Sequence, residues 1–133
     1  MQKRDFPILE YDNTLKAVIE PTENHKPIDI PEHCVVCFFQ EVIDKLVDDE
    51  QAVAIYRIKS ELGLRQVYRV TENGQSFALF HPGVGAPLAA ALLEEVIAIG
   101  ASKFIACGGA GVLDKRICVG HVLVPQLAVR DEG

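Results

Sequence analysis

The segment FALFHPGVGAPLAAALLEEVIAIGASKFIACGGAGVL, Phe77 to Leu113, limits the possible folds more than any other part of the chain. An apolar run of strand length enters a glycine-rich turn and a long apolar helix follows. A second apolar run then enters a second glycine-rich turn. Pro87 stands in the first turn of the expected helix, where a missing N–H removes no intrahelical bond. Gly100 stands at its end, where a left-handed residue closes a helix. A strand–helix–strand order at this spacing predicts a right-handed parallel crossover. The turns then fall at the carboxyl ends of parallel strands, the edge where open α/β sheets bind ligands. Their succession suggests that the two strand ends are neighbours. Glycines there bare main-chain N–H groups, which suits a tight turn or the close approach of an anion or hydroxyl.

The rest of the pattern extends this unit into a sheet. Cys34–Phe39 reads as a strand, and Gln40–Val47 places Val42, Ile43, Leu46 and Val47 at helical spacing. Ala52–Lys59 and Arg65–Thr71 read as strands joined through SELGL. Asn73-Gly74 predicts a hairpin turn, and Ser76–His81 returns as a third strand. Beyond the helix come a strand at Lys103–Cys107 and a surface turn at Asp114–Arg116. A further strand is expected over Val119–Val129, interrupted at Pro125. The helix from Ala86 is apolar almost all round and is expected to be buried on more than one side.

Residues 1–32, with Pro7, Pro21, Pro27 and Pro31, read as an irregular arm. Residues 33–133 read as the N-terminal part of one α/β domain, three layers α/β/α around a central mixed sheet. The chain stops at VRDEG directly after an apolar run, so the expectation is a truncated fold, a fragment or a chain completed by a partner.

Thirteen basic against nineteen acidic residues give a net charge of −6, which disfavours nucleic acid as a partner. The start MQKRDFPILE lacks a signal-peptide core, and Ala86–Ile99 is too short and too charged to span a bilayer, so a soluble, cytoplasmic protein is expected. Among four cysteines, Cys34 and Cys37 have metal-motif spacing. On a strand, positions three apart face opposite ways and cannot share an ion. Buried reduced thiols are expected instead, and no metal. Gly83-x-Gly85 resembles a dinucleotide turn, but the third glycine position is Leu88. No acid stands about twenty residues on, where a ribose would need one.

The run from Gly83 to Gly133 resembles the nucleoside phosphorylase superfamily, in particular its uridine and purine phosphorylases. The resemblance is carried by Gly83, Gly85 and Pro87, by Glu94 and Glu95 ahead of Gly100, and by Gly108 and Gly111. Val119, Gly120, Pro125 and Arg130 continue the succession. It implies the fold given above and reversible cleavage of an N-glycosidic bond by phosphate, with nucleoside and phosphate as partners. Phosphate is then a co-substrate and no cofactor is needed; the assembly implied is a homodimer or a hexamer built of dimers. Phosphate and ribose would be met by His81, Gly83, Gly85, Gly108, Gly109 and, across a subunit interface, Lys59. The base would be met by Ala110, Gly111 and Arg130. The catalytic residue is unknown.

Several positions depart from the pattern. The family's GDPxR phosphate turn is replaced by FFQEV, Phe38–Val42. A second phosphate arginine is Ala106, and the Thr/Ser hydroxyl position is Gly109. The histidine that the family lends to a neighbouring ribose is replaced within DFPIL. At roughly 1.5–3 kcal/mol per charged hydrogen bond, these losses weaken phosphate binding by several kcal/mol. The expectation is a divergent phosphorylase, inactive as this chain alone. A hydrolytic nucleosidase and a non-catalytic nucleoside-binding paralogue stand as alternatives. Glu94 and Glu95 occupy consecutive helix positions facing different ways, so one is expected to anchor an ion pair or a cap. His121 is expected in a turn, and His25 and His33 carry no assigned chemistry.

Overall fold

The structure, a computed structural model, describes residues 14–61 and 63–129. The elements run α1 (Pro21–Asn24), β1 (His33–Cys37), α2 (Gln40–Asp48), β2 (Ala52–Ser60), β3 (Gly63–Glu72), β4 (Gln75–Phe80), α3 (Ala86–Ala98) and β5 (Lys103–Cys107). The five strands form one mixed sheet in the order β2-β3-β4-β1-β5. β2 pairs antiparallel with β3, and β3 with β4, while β1 runs parallel to both β4 and β5. The β3–β4 hairpin turns at Asn73 (φ 50) and Gly74 (φ 76), both left-handed, as the Asn-Gly pair predicts.

Side-chain alternation sends β1, β3 and β4 into two cores. On one face Cys34, Val36, Val67, Ala78 and Phe80 pack with Leu92 and Val96 of α3. On the other, Cys37, Val70 and Leu79 pack with Ile43 of α2. The helices therefore lie on opposite faces and the architecture is three-layer α/β/α. Cys34 and Cys37 enter different cores, as the pleat requires. Burial pushes the Cys34 thiol up to about 12.

Several expectations are corrected. The strand ends carrying the two glycine turns are not neighbours: β1 separates β4 from β5, so the ends stand roughly 10 Å apart, two strand spacings. A parallel crossover can skip a strand, and sequence order does not reveal the skip. α3 buries one side only; Leu92 and Val96 are inside while Ala90, Ala91, Glu94 and Ile97 are exposed. Its α3-face core needs a single stripe at i, i+4, and the Ala-rich stripe meets no second layer among the described residues. Val119–Val129 forms no strand: Val119, Val122, Leu127 and Val129 are exposed, and among the described residues β5 pairs only with β1. A strand persists through its ladder, and Pro125 would interrupt one. Cys107 and Cys118 are exposed rather than buried.

Within the arm, residues 21–31 lie along the α3 side of the sheet, and the structure of residues 1–13 is outside the described part. The Ile28 N–H donates to the Ile99 carbonyl at 2.9 Å, and Arg69 Nη2 reaches Asp29 Oδ2 at 2.9 Å. His25 is held from both sides, with Nδ1 2.9 Å from the Tyr56 hydroxyl and Nε2 2.5 Å from Glu95 Oε2. Glu95 is thus the glutamate that meets a basic side chain, and Glu94 faces solvent. Desolvation, with the Glu95 charge adding to it, raises the Tyr56 hydroxyl above its ordinary value. His121 lies in a turn, its N–H donating to the Cys118 carbonyl at 3.1 Å. No helix among the described residues is long and apolar enough to cross a membrane.

Candidate active site

Because β4, β1 and β5 are parallel, their carboxyl ends deliver three loops to one edge. The loop after β4 carries His81, Gly83 and Gly85 into α3; that after β1 carries Phe38 and Phe39 into α2; that after β5 carries Gly108–Gly111. The β2–β3 hairpin overhangs the same edge. Phe80 at the end of β4 is opposite Val67, and β3 extends four residues further, to Gly63.

The glycines divide by what surrounds them. Gly83 is buried at φ +78, and a Cβ there would lie 2.4 Å from Leu88 Cδ2, so the helix packs where a side chain would go. A Cβ on Gly108 would meet the Phe38 ring at 3.3 Å. Gly85 and Gly111 would meet nothing within 4 Å, and Gly109 only Phe39 Cε1 at 3.8 Å. Gly83 and Gly108 therefore have packing reasons to be glycine. Gly85, Gly109 and Gly111 leave main chain open at the surface.

Gly85 is also the N-cap of α3. No side chain caps it, and no acid stands in the first turn. The free N–H groups there carry partial positive charge that an oxygen-rich ligand can meet. His81 is fixed by its own turn: the Gly83 N–H donates to His81 Nδ1 at 2.9 Å, so Nδ1 is the acceptor and Nε2 carries the ring proton.

Phe38 ties the turns together. Its ring meets the His81 ring edge-to-face with centroids 6.2 Å apart and lies where a Gly108 side chain would go. An aromatic plate thus spans the interval over β1, where the resemblance implies a phosphate turn. Glu41 stands in the first turn of α2 just beyond it.

The remaining expected positions are spread along the edge. Ala110 is exposed beside Gly111. Lys59 is exposed on β2, opposite Leu64 in the overhanging hairpin and separated from β4 by β3. That placement keeps it away from Gly85 of its own chain. Arg130 lies outside the described residues. Phe38 was missed as a site residue because its apolar neighbours read as strand.

A cavity of about 120 Å³ opens at this edge on the α2 side, bordered by Gln40, Ile43, Gln66, Tyr68 and His81. Among the described residues, Gln66 Oε1 is buried without a hydrogen-bond partner. Burial, with the nearby Asp44 charge adding to it, raises the Tyr68 hydroxyl above its ordinary range. Gln66 and Tyr68 share a face by simple alternation, a signal the sequence does contain.

With fold and edge described, comparison with known proteins gives a consistent answer. The family model of the Phosphorylase superfamily matches residues 32–133, and the chain belongs to that superfamily. A uridine phosphorylase of Thermococcus kodakarensis is 33% identical over 76 residues, 55% of this chain and 27% of that protein. A guanosine phosphorylase of Halorubrum lacusprofundi is 30% identical over 91 residues, 68% of this chain and 35% of that protein. A uridine phosphorylase of Haemophilus influenzae is 34% identical over 61 residues, 46% of this chain and 24% of that protein. The matches therefore span about a quarter to a third of the length of these curated relatives.

Proposed function

We propose that the carboxyl edge binds a nucleoside and serves phosphate-dependent cleavage of its N-glycosidic bond, yielding free base and pentose 1-phosphate. The observation that supports this most is the open main chain of Gly85, Gly109 and Gly111 at one edge, on strands that flank β1. In such a reaction a phosphate oxygen bonds to the anomeric carbon as the carbon–nitrogen bond breaks. The base leaves with the bonding electrons and takes a proton. Fixed N–H donors at the developing charge, together with positioning, supply most of the rate in chemistry of this kind. His81 and the Gly83–Gly85 turn would meet sugar or phosphate on the β4 side, and Gly108–Gly109 would meet them on the β5 side. Ala110, Gly111 and Arg130 would face the base. A second copy would lend Lys59, within a homodimer or a hexamer built of dimers.

A second reading, hydrolysis or binding without turnover, is favoured by Phe38 and Glu41. The ring covers the interval over β1, and a carboxylate follows it, where an anion would need donors. One assay separates the readings: uridine, inosine and adenosine are incubated with the protein, with and without inorganic phosphate, and free base is measured. Phosphate-dependent release supports phosphorolysis. Release without phosphate supports the hydrolase, and binding without release the paralogue. Absence of both binding and release for all three nucleosides overturns the nucleoside assignment.

A further inference from the structure

The cavity beside His81 has a chemical character distinct from that of an anion site. Its buried orphan, Gln66 Oε1, is an acceptor and calls for an N–H or O–H. Gln40 donates its Nε2 to Asp44 Oδ1 at 2.8 Å, so its carbonyl oxygen is left as a second acceptor. The donors are His81 Nε2–H, fixed by the Gly83 contact, and the Tyr68 hydroxyl. Arg65 also borders the cavity, yet it pairs with Ile58, on the opposite pleat from Gln66 and Tyr68. Alternation turns its side chain toward the α3 face. Asp44 adds negative charge close by, as its effect on Tyr68 shows. Acceptors, neutral donors and a neighbouring carboxylate disfavour phosphate.

Size narrows the ligand further. At about 120 Å³ the cavity lies well below the roughly 300 Å³ of a pocket for a whole drug-sized ligand. One end of a nucleoside fits; a complete one does not.

We propose that the Gln66–Tyr68–His81 cavity is a subsite for a neutral group carrying an O–H or N–H donor beside an acceptor, and that phosphate binds elsewhere. This rests on reading the carboxyl edge as a nucleoside site. Two parts of a nucleoside have that chemistry: the vicinal hydroxyls of the pentose and the lactam edge of the base. In either case the donor meets Gln66 Oε1 and the acceptor meets His81 Nε2–H.

The test uses the full chain and its Gln66→Leu variant, titrated separately with ribose, uracil, uridine and inorganic phosphate. Calorimetry gives affinities, and the Gln66 side-chain amide and His81 ring signals are followed by NMR. Uridine is expected to shift both signals, and Gln66→Leu to weaken uridine by about tenfold while leaving phosphate unchanged. A response to ribose but not uracil identifies the pentose, and the reverse identifies the base. Gln66→Leu also removes a buried unpaired acceptor, so the free protein should unfold at an equal or higher temperature. A merely structural glutamine would instead give a less stable variant with unchanged affinity, and that result overturns the proposal. Phosphate alone shifting Gln66 and His81 overturns it too. Uridine bound at Gly85 and Gly109 with Gln66 silent overturns the subsite and leaves the nucleoside reading standing. No response from any residue overturns both.

Discussion

Gly83→Ala and Gly85→Ala, two residues apart in one turn, should behave differently. Both positions are left-handed, at φ +78 and +96, so either alanine meets backbone strain of about 1–3 kcal/mol. Gly83 carries a second cost. Its new methyl would sit 2.4 Å from Leu88 Cδ2 and 2.9 Å from Leu88 Cγ, with Leu92 Cδ1 behind at 3.8 Å. Leu88 packs against the α3-face core, so moving it disturbs Phe80 and Val96 as well. Overpacking of this kind adds about 1–3 kcal/mol. Gly85 meets open space, and its alanine incurs only the backbone term. Urea unfolding of the full chain measures both, with Leu88→Ala as the partner in a double-mutant cycle. Gly83→Ala should be the less stable by about 1–3 kcal/mol, a midpoint shift of roughly 1 M at an m-value of about 1–3 kcal/mol/M. The excess should vanish in the Leu88→Ala background. Equal costs for the two alanines, or an excess that survives removal of Leu88, would refute the packing explanation. Nucleoside affinity should follow the opposite order, with folded Gly85→Ala losing more than folded Gly83→Ala.

Other expectations follow from the same geometry. Glu95→Ala should cost about 1–3 kcal/mol in chemical denaturation through loss of the charged partner of His25, while exposed Glu94→Ala stays within about 0.5 kcal/mol. Exposed Cys107 and Cys118 should react quickly with a thiol reagent, and Cys34 only on unfolding. The Cys34 thiol ordinarily ionises near 9.0 and is pushed up to about 12 in the fold, so the unfolded chain loses that proton first. Its contribution is complete below pH 9 and declines as pH rises toward 12, a decline that Cys34→Ala should reduce in pH-dependent urea titrations. Ala106→Arg restores a cation at an exposed position of β5 and should tighten inorganic phosphate, read by calorimetry, by tenfold or more. Unchanged phosphate affinity would show that β5 does not face the anion.

The Phe77–Leu113 segment is also the most legible part of the fold. Pro87 and Gly100 set the ends of α3, and apolar runs set β4 and β5 to within a residue, because local chemistry determines those features. Asn73-Gly74 was equally direct. The insertion of β1 between β4 and β5 could not be read, since strand order is decided by long-range pairing. Nor could the difference between Gly83 and Gly85: both are glycines in one turn, and only the position of Leu88 distinguishes them. Phe38 looked like the end of a strand and instead plates the interval between two turns. Val119–Val129 shows the converse case, a strand-like pattern without a ladder. His25, three residues beyond Thr22 in a polar stretch, gave no hint of its place between Tyr56 and Glu95.

The most direct test follows the backbone amides of Gly85, Gly109 and Gly111 in one NMR titration with uridine and one with inosine, each repeated with phosphate present. All three should shift together and saturate at the same nucleoside concentration, because one ligand would bridge the ends of β4 and β5 over Phe38. Amides that stay still, or that titrate at different concentrations, would mean that these turns hold no shared ligand.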